Sequence, residues 1–119
     1  MTEQEFKEIL HKEETDTVEF KSWVNARNMK EIISLAVDEL IAFANSKGGT
    51  VYFGVEDNPV VVTGCDRNYD GQRIIEGIYD RTIPPLFTEI SDLSMRESSL
   101  LQYQLKQMER HIQLRMVDA

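Results

Sequence analysis

The sequence has little of several features that would define a protein class. Its single cysteine, Cys65, excludes an internal disulfide and a metal cluster made of cysteines. It contains no run of eighteen apolar residues, so we expect no transmembrane helix. Its first ten residues lack the basic and then apolar pattern of a signal peptide. We therefore expect one soluble domain, with the cytoplasm as its default location.

Positive charge is also scarce. Lysine and arginine together number 13, against 21 aspartates and glutamates, which gives a formal net charge of −8. Proteins that bind nucleic acid through its phosphates usually present a basic surface. Any phosphate-binding face on this chain must therefore be local, or divalent ions must bridge the protein to the phosphates.

The clearest structural signal in the sequence is the stretch from Leu40 to Val55, LIAFANSKGGTVYFGV. Apolar residues recur at helical spacing from about Asn28 onward, which predicts an amphipathic helix with one buried face. Gly48 and Gly49 are suited to end this helix. The alternating pattern over residues 50–55 then predicts a strand.

Weaker signals predict the rest of the fold. Thr2 and Glu5 form a capping-box pattern, which predicts a helix over residues 2–10. Further periodicities predict a strand over 17–23, a β-hairpin over 50–64 and a helix over 72–81. The predicted fold class is α/β (α+β), with a small mixed sheet packed against two or three helices.

The C-terminal residues 91–119 carry a different pattern. Four apolar residues follow one another at steps of four, three and four, which is the spacing of a coiled-coil seam. These residues are Leu101, Leu105, Met108 and Ile112. We predict a helix capped by Ser91 or Ser94, packed either on its own domain or against the same helix of a second copy.

Three carboxylates are the strongest candidates for chemistry. Glu14 and Glu19 lie before and on the first predicted strand, and Asp57 follows the strand after the central helix. If the two strands are neighbours, the carboxylates can converge and hold a hard ion such as Mg²⁺ or Mn²⁺. Lys21 shares a strand face with Glu19 and could orient a water or hold a phosphate. The alternative is that all three are solvated surface residues.

The candidate phosphate contacts are Lys21, Arg27 and Lys47, with Arg67 as a further one. Lys47 precedes two glycines, but these follow a helix, whereas a phosphate-binding loop places its glycines before one. We therefore expect a helix stop at Gly48-Gly49 and no ATP site.

Two motifs resemble a known family. Residues 14–21, ETDTVEFK, and residues 42–57, AFANSKGGTVYFGVED, resemble the Schlafen AlbA_2 domain. The family pattern is E-x4-EFK, a helix ending in AFANxxGG, and a strand ending in GV(E/D)D. The resemblance covers roughly residues 5–90.

The resemblance implies two different activities. Bacterial and archaeal members are described as transcriptional regulators with a DNA-binding role. In animal Schlafen proteins a domain of this kind is a metal-dependent RNA endonuclease with a Glu/Glu/Asp triad. By motif, that triad corresponds to Glu14, Glu19 and Asp57, which would make these residues both metal ligands and catalytic residues, with Lys21 beside them.

The C-terminus departs from the family pattern, in which further strands follow the proline-rich turn. We predict an AlbA_2-like domain over 1–90, truncated relative to the family, and a C-terminal helix over 91–119 as a dimerisation element. A missing strand would expose a sheet edge to a partner chain, so we expect a homodimer.

The sequence is consistent with three functions. The first is a nucleic-acid-binding domain of a transcriptional regulator, acting on DNA or structured RNA. The second is a divalent-metal-dependent RNA endonuclease, and the third is a protein-interaction module. We favour the first.

Overall fold

The computed structural model describes residues 2–66, 68–94, 100–101, 104–107 and 110–118. The helices in this part of the chain are α1 (Glu3–Lys12), α2 (Met29–Ala44) and α3 (Gly71–Arg81). The strands are β1 (Val18–Lys21), β2 (Gly49–Phe53), β3 (Val55–Glu56), β4 (Val61–Val62), β5 (Glu89–Ser94), β6 (Leu100–Leu101), β7 (Gln104–Gln107) and β8 (Arg110–Asp118). None of the described helices is both long enough and apolar enough to cross a membrane.

The main sheet is built on four parallel strands in the order β1-β2-β8-β5. Strand β6 extends it antiparallel to β5, and β7 pairs antiparallel with β8. Strand β8 follows all the other strands along the chain but lies between β2 and β5 in the sheet. The predicted α/β class, with a mixed sheet and three helices, is therefore confirmed.

Polar caps fix the starts of the helices where the sequence predicts them. Thr2 and Glu5 form the predicted capping box of α1. Asn28 caps α2, with its side chain accepting a hydrogen bond from the Glu31 amide at 2.9 Å. Asp70 caps α3 in the same way, through the Arg73 amide. Each cap satisfies an amide that the first helical turn leaves without a partner.

The helices cover both faces of the sheet. Helices α2 and α3 pack on one face, over a core that includes Val51, Phe53 and Leu114. On the other face, Phe6 of α1 packs with Phe20 and Tyr52. Successive side chains along each strand point to opposite faces of the sheet, so the strands contribute residues to both cores.

The predicted hairpin over 50–64 is only partly confirmed. Strand β2 ends at Phe53 and pairs with β1 and β8, whereas the hairpin itself consists of the shorter strands β3 and β4. Gly54 separates β2 from β3 with a φ of +96°. A Cβ at this position would lie 2.9 Å from the carbonyl oxygen of Val117 and 2.9 Å from the carbonyl carbon of Gly64.

The predicted C-terminal helix over 91–119 is wrong, because the described residues of this region form strands β5 to β8. Ser91 and Ser94 lie in β5 and cap no helix, and Met108 lies outside the described residues. The sheet continues past residue 90 through these strands. The coiled-coil spacing concealed an alternation within β8, where Leu114 and Met116 face the α2–α3 core and Val117 faces the other.

We predict that Gly54→Ala lowers the free energy of unfolding by about 2 kcal/mol or more, because it combines a strained backbone with overpacking against rigid main chain. Urea denaturation followed by circular dichroism measures this change. The control is Val61→Ala in the same hairpin, whose side chain is 48% exposed. Equal stabilities of the two variants would contradict the role of Gly54.

Candidate functional site at the edge of the sheet

Glu14 closes the outer edge of β1. The amide of Gly54 donates to the carbonyl of Lys21, on the side of β1 that faces β2. Because strand amides alternate in direction, the amide of Phe20 points away from the sheet. That amide donates to Oε2 of Glu14 at 2.8 Å. The first glutamate of the E-x4-E motif is thus held against the strand that carries the second.

Glu19 and Lys21 lie on the face of β1 that is covered by α2. The Lys21 Nζ is 3.7 Å from Oε1 of Glu19 and 3.2 Å from Oε1 of Glu39 on α2. The three side chains are about one-quarter exposed. We call Glu14, Glu19, Lys21 and Glu39 the edge cluster.

The edge cluster shifts the pKa values of Glu19 and Lys21. Burial, the hydrogen bond with Glu14 and the charges of Glu39 and Glu14 raise the pKa of Glu19 to about 7, although Lys21 opposes them. Burial alone would lower the pKa of Lys21, but its hydrogen bond with Glu39 and the surrounding carboxylates raise it. At neutral pH Glu19 is therefore only partly ionised, and Lys21 stays charged.

Asp57 does not join the other two predicted carboxylates. It lies exposed in the turn after β3, where its Oδ1 accepts a hydrogen bond from the Asn58 amide at 3.0 Å. It forms no hydrogen bond or ion pair with Glu14 or Glu19. The structure thus brings together two of the three predicted ligands and adds Glu39, which sequence reasoning missed because its contact with Lys21 depends on how α2 lies across the sheet.

The edge cluster does not fit Mg²⁺ or Mn²⁺ as arranged here. Glu14 is engaged by a backbone amide, and the Lys21 ammonium already supplies positive charge among the carboxylates. Within the described part of the chain, no three Asp, Glu, His or Cys side chains are grouped to hold a metal ion. Hard cations require several oxygen ligands that converge on one point.

Three of the four predicted phosphate contacts lie within the described residues, and each of these three cations has an acidic partner. Lys21 is paired with Glu19 and Glu39, as described above. The Arg27 Nε lies 2.8 Å from Glu31, and the Lys47 Nζ lies 2.8 Å from Asp16. Arg67 lies outside the described residues. These three cations therefore contribute little net positive potential.

The predicted helix stop is confirmed at Gly48, whose φ is +83°, whereas Gly49 is already the first residue of β2. The Gly48 amide donates to the carbonyl of Phe43 at 2.9 Å, and Asn45 is the C-cap of α2. These residues close a helix, which is the role that their position after α2 predicts.

The structure defines a small mixed α/β domain with an ionisable cluster at the edge of its sheet. The family model described as Schlafen, AlbA_2 matches residues 14–116. The match begins at Glu14 of the edge cluster and ends in the central strand β8. The chain belongs to the Schlafen AlbA_2 family. No solved structure matches it.

We predict that the change in the free energy of unfolding caused by Glu19→Gln is more stabilising at about pH 8 than at about pH 4. The pKa of Glu19 rises from 4.5 to about 7 on folding, so the native state holds a proton that the unfolded chain releases between these values. The stability of the natural protein therefore falls as pH rises through this window, and a neutral glutamine avoids that loss.

Urea denaturation of both proteins across this pH range measures the effect. Glu8→Gln, on the exposed surface of α1, controls for the loss of one negative charge. If the stability difference between Glu19→Gln and the natural protein is the same at both pH values, the raised pKa is contradicted.

Proposed function

We propose that this protein binds nucleic acid, as the binding domain of a transcriptional regulator. The observation that carries the proposal is the family match over residues 14–116, because family membership suggests nucleic-acid binding. The fold supports it with a mixed sheet that helices cover on both faces, since such a scaffold positions surface side chains for contacts.

The charge distribution sets the character of this binding. With a net charge of −8, the protein as a whole repels a polyanion, so attraction must come from a few local cations. Phosphate contacts of this kind hold a duplex in place without reading its sequence. We therefore propose binding that is modest in affinity, sensitive to salt and independent of divalent metal.

We predict that the protein binds a fluorescein-labelled DNA duplex or RNA hairpin in about 50 mM salt, and that binding weakens with a log–log slope of about −2 to −4 as salt rises, as expected for three or four phosphate contacts. Fluorescence anisotropy in EDTA and in Mg²⁺ measures both points. Absence of binding to both probes at low salt would refute the proposal.

The alternative function is a divalent-metal-dependent RNA endonuclease that uses Glu14, Glu19 and Asp57 with Lys21. The contact between Glu14 and Glu19 beside a lysine favours it, since closely placed carboxylates with perturbed pKa values are common at catalytic sites. The exposed position of Asp57, away from both glutamates, argues against it. We therefore rank cleavage below binding.

We predict that end-labelled structured RNA stays intact after incubation with the protein in Mn²⁺, as it does in EDTA. A denaturing gel shows the result, with Glu14→Gln/Glu19→Gln as the test variant and Glu3→Gln/Glu8→Gln on α1 as the charge-matched control. Fragments that require Mn²⁺ and vanish only in the test variant would establish the nuclease instead.

The homodimer predicted from the sequence is not part of this proposal. That prediction depended on a strand missing from the sheet and on a C-terminal helix. Strands β5 to β8 extend the sheet, and the described residues after residue 90 lie in these strands rather than in a helix. The protein-interaction function depended on the acidic surface and the C-terminal helix, and it loses the second of these arguments.

A further inference from the structure

The cations that lack an acidic partner are not distributed evenly over the protein. Among the described side chains, four exposed lysines and arginines form no ion pair. These residues are Lys12, Lys30, Arg73 and Arg81. The last three line a single open groove of about 300 Å³ between α2 and α3. In a strongly acidic protein, this concentration of unpaired positive charge calls for an explanation.

The groove exists because α2 and α3 approach closely. A Cβ at Gly77 of α3 would lie only 2.7 Å from Cδ1 of Ile33 on α2. The absence of a side chain at Gly77 therefore lets cations from the two helices share one surface. This groove lies on α2 and α3, and no member of the edge cluster lines it.

Two of the cations occupy positions where they weaken their own helices. Lys30 is the second residue of α2 and Arg73 the third residue of α3. A positive charge in the first turn is unfavourable to a helix because it opposes the helix dipole. A phosphate bound to these side chains would neutralise their charge and so remove the unfavourable interaction with the helix dipole.

We propose that this groove, defined by Lys30, Arg73 and Arg81, is the surface on which the phosphodiester backbone of nucleic acid binds. The inference rests on the proposed nucleic-acid binding. It places the phosphate contacts in the groove rather than at Lys21, Arg27 and Lys47, because those three cations are already paired with carboxylates. Glu76 and Asp80 also line the groove and leave it a net formal charge of only one. These two acids limit the affinity and repel the backbone from part of the groove.

The test compares two variants that each lose three exposed positive charges. The groove variant is Lys30→Gln/Arg73→Gln/Arg81→Gln. Its matched control is Lys7→Gln/Arg27→Gln/Lys47→Gln, which removes cations paired with Glu3, Glu31 and Asp16.

We expect the groove variant to bind the labelled DNA duplex or RNA hairpin at least about tenfold more weakly, with a salt slope shallower by about two to three. The control variant should stay within about threefold of the natural protein. Anisotropy titrations measure the affinities, and circular dichroism verifies that both variants are folded.

A variant with the opposite effect guards against a loss caused by misfolding. Glu76→Gln/Asp80→Asn removes the two acids of the groove and should strengthen binding by about threefold or more, which an unfolded protein would not do. If the natural protein binds but the control loses affinity and the groove variant does not, the groove is refuted while nucleic-acid binding stands. If the natural protein fails to bind either probe, the proposed function itself fails.

Discussion

The structure depends on the central position of β8. Its residues 112–116 pair with β2 on one side, and residues 113–118 pair with β5 on the other. Without β8, the β1–β2 pair and the β5–β6 pair would share no hydrogen bonds in the sheet. Its buried Leu114 and Met116 complete the core beneath α2 and α3, while Val117 closes the opposite core. The helices, the edge cluster and the groove all keep their positions because this strand joins the two halves of the sheet.

Local sequence patterns predicted much of the fold. They did not predict the elements whose structure depends on pairing between distant segments of the chain. The caps at Thr2, Asn28 and their partners act within four residues, so the sequence shows them directly. Strand β8 is placed at the centre of the sheet by distant partners, since Ile112 pairs with Gly49, 63 positions away, and Gln113 pairs with Glu89, 24 positions away. Nothing local to residues 110–118 reports that pairing, and its short alternation was outweighed by an accidental seven-residue spacing.

The same limit applies to the candidate site, whose locally connected residues were predictable and whose distant ones were not. Glu14 and Glu19 meet because a short segment and one strand connect them, and Lys21 follows from strand alternation. Glu39 was missed because its position depends on how α2 lies across the sheet. Asp57 was misplaced because Gly54 redirects the chain after β2. Net charge predicts that any attraction for a polyanion is local, but only the ion pairs show which of the described cations lack an acidic partner.

Glu14 has a consequence for how copies of this protein behave towards one another. An outer strand with unsatisfied amides is a template on which another chain can add a strand, and this is a route to aggregation. Here the outward amides of Val18 and Phe20 are already bound, by the carbonyl of Thr15 and by the Glu14 carboxylate. A neighbouring copy that approaches this edge meets a negative charge instead of free donors. Glu14 and the carbonyl of Thr15 therefore leave neither of these two amides free to pair with an added strand.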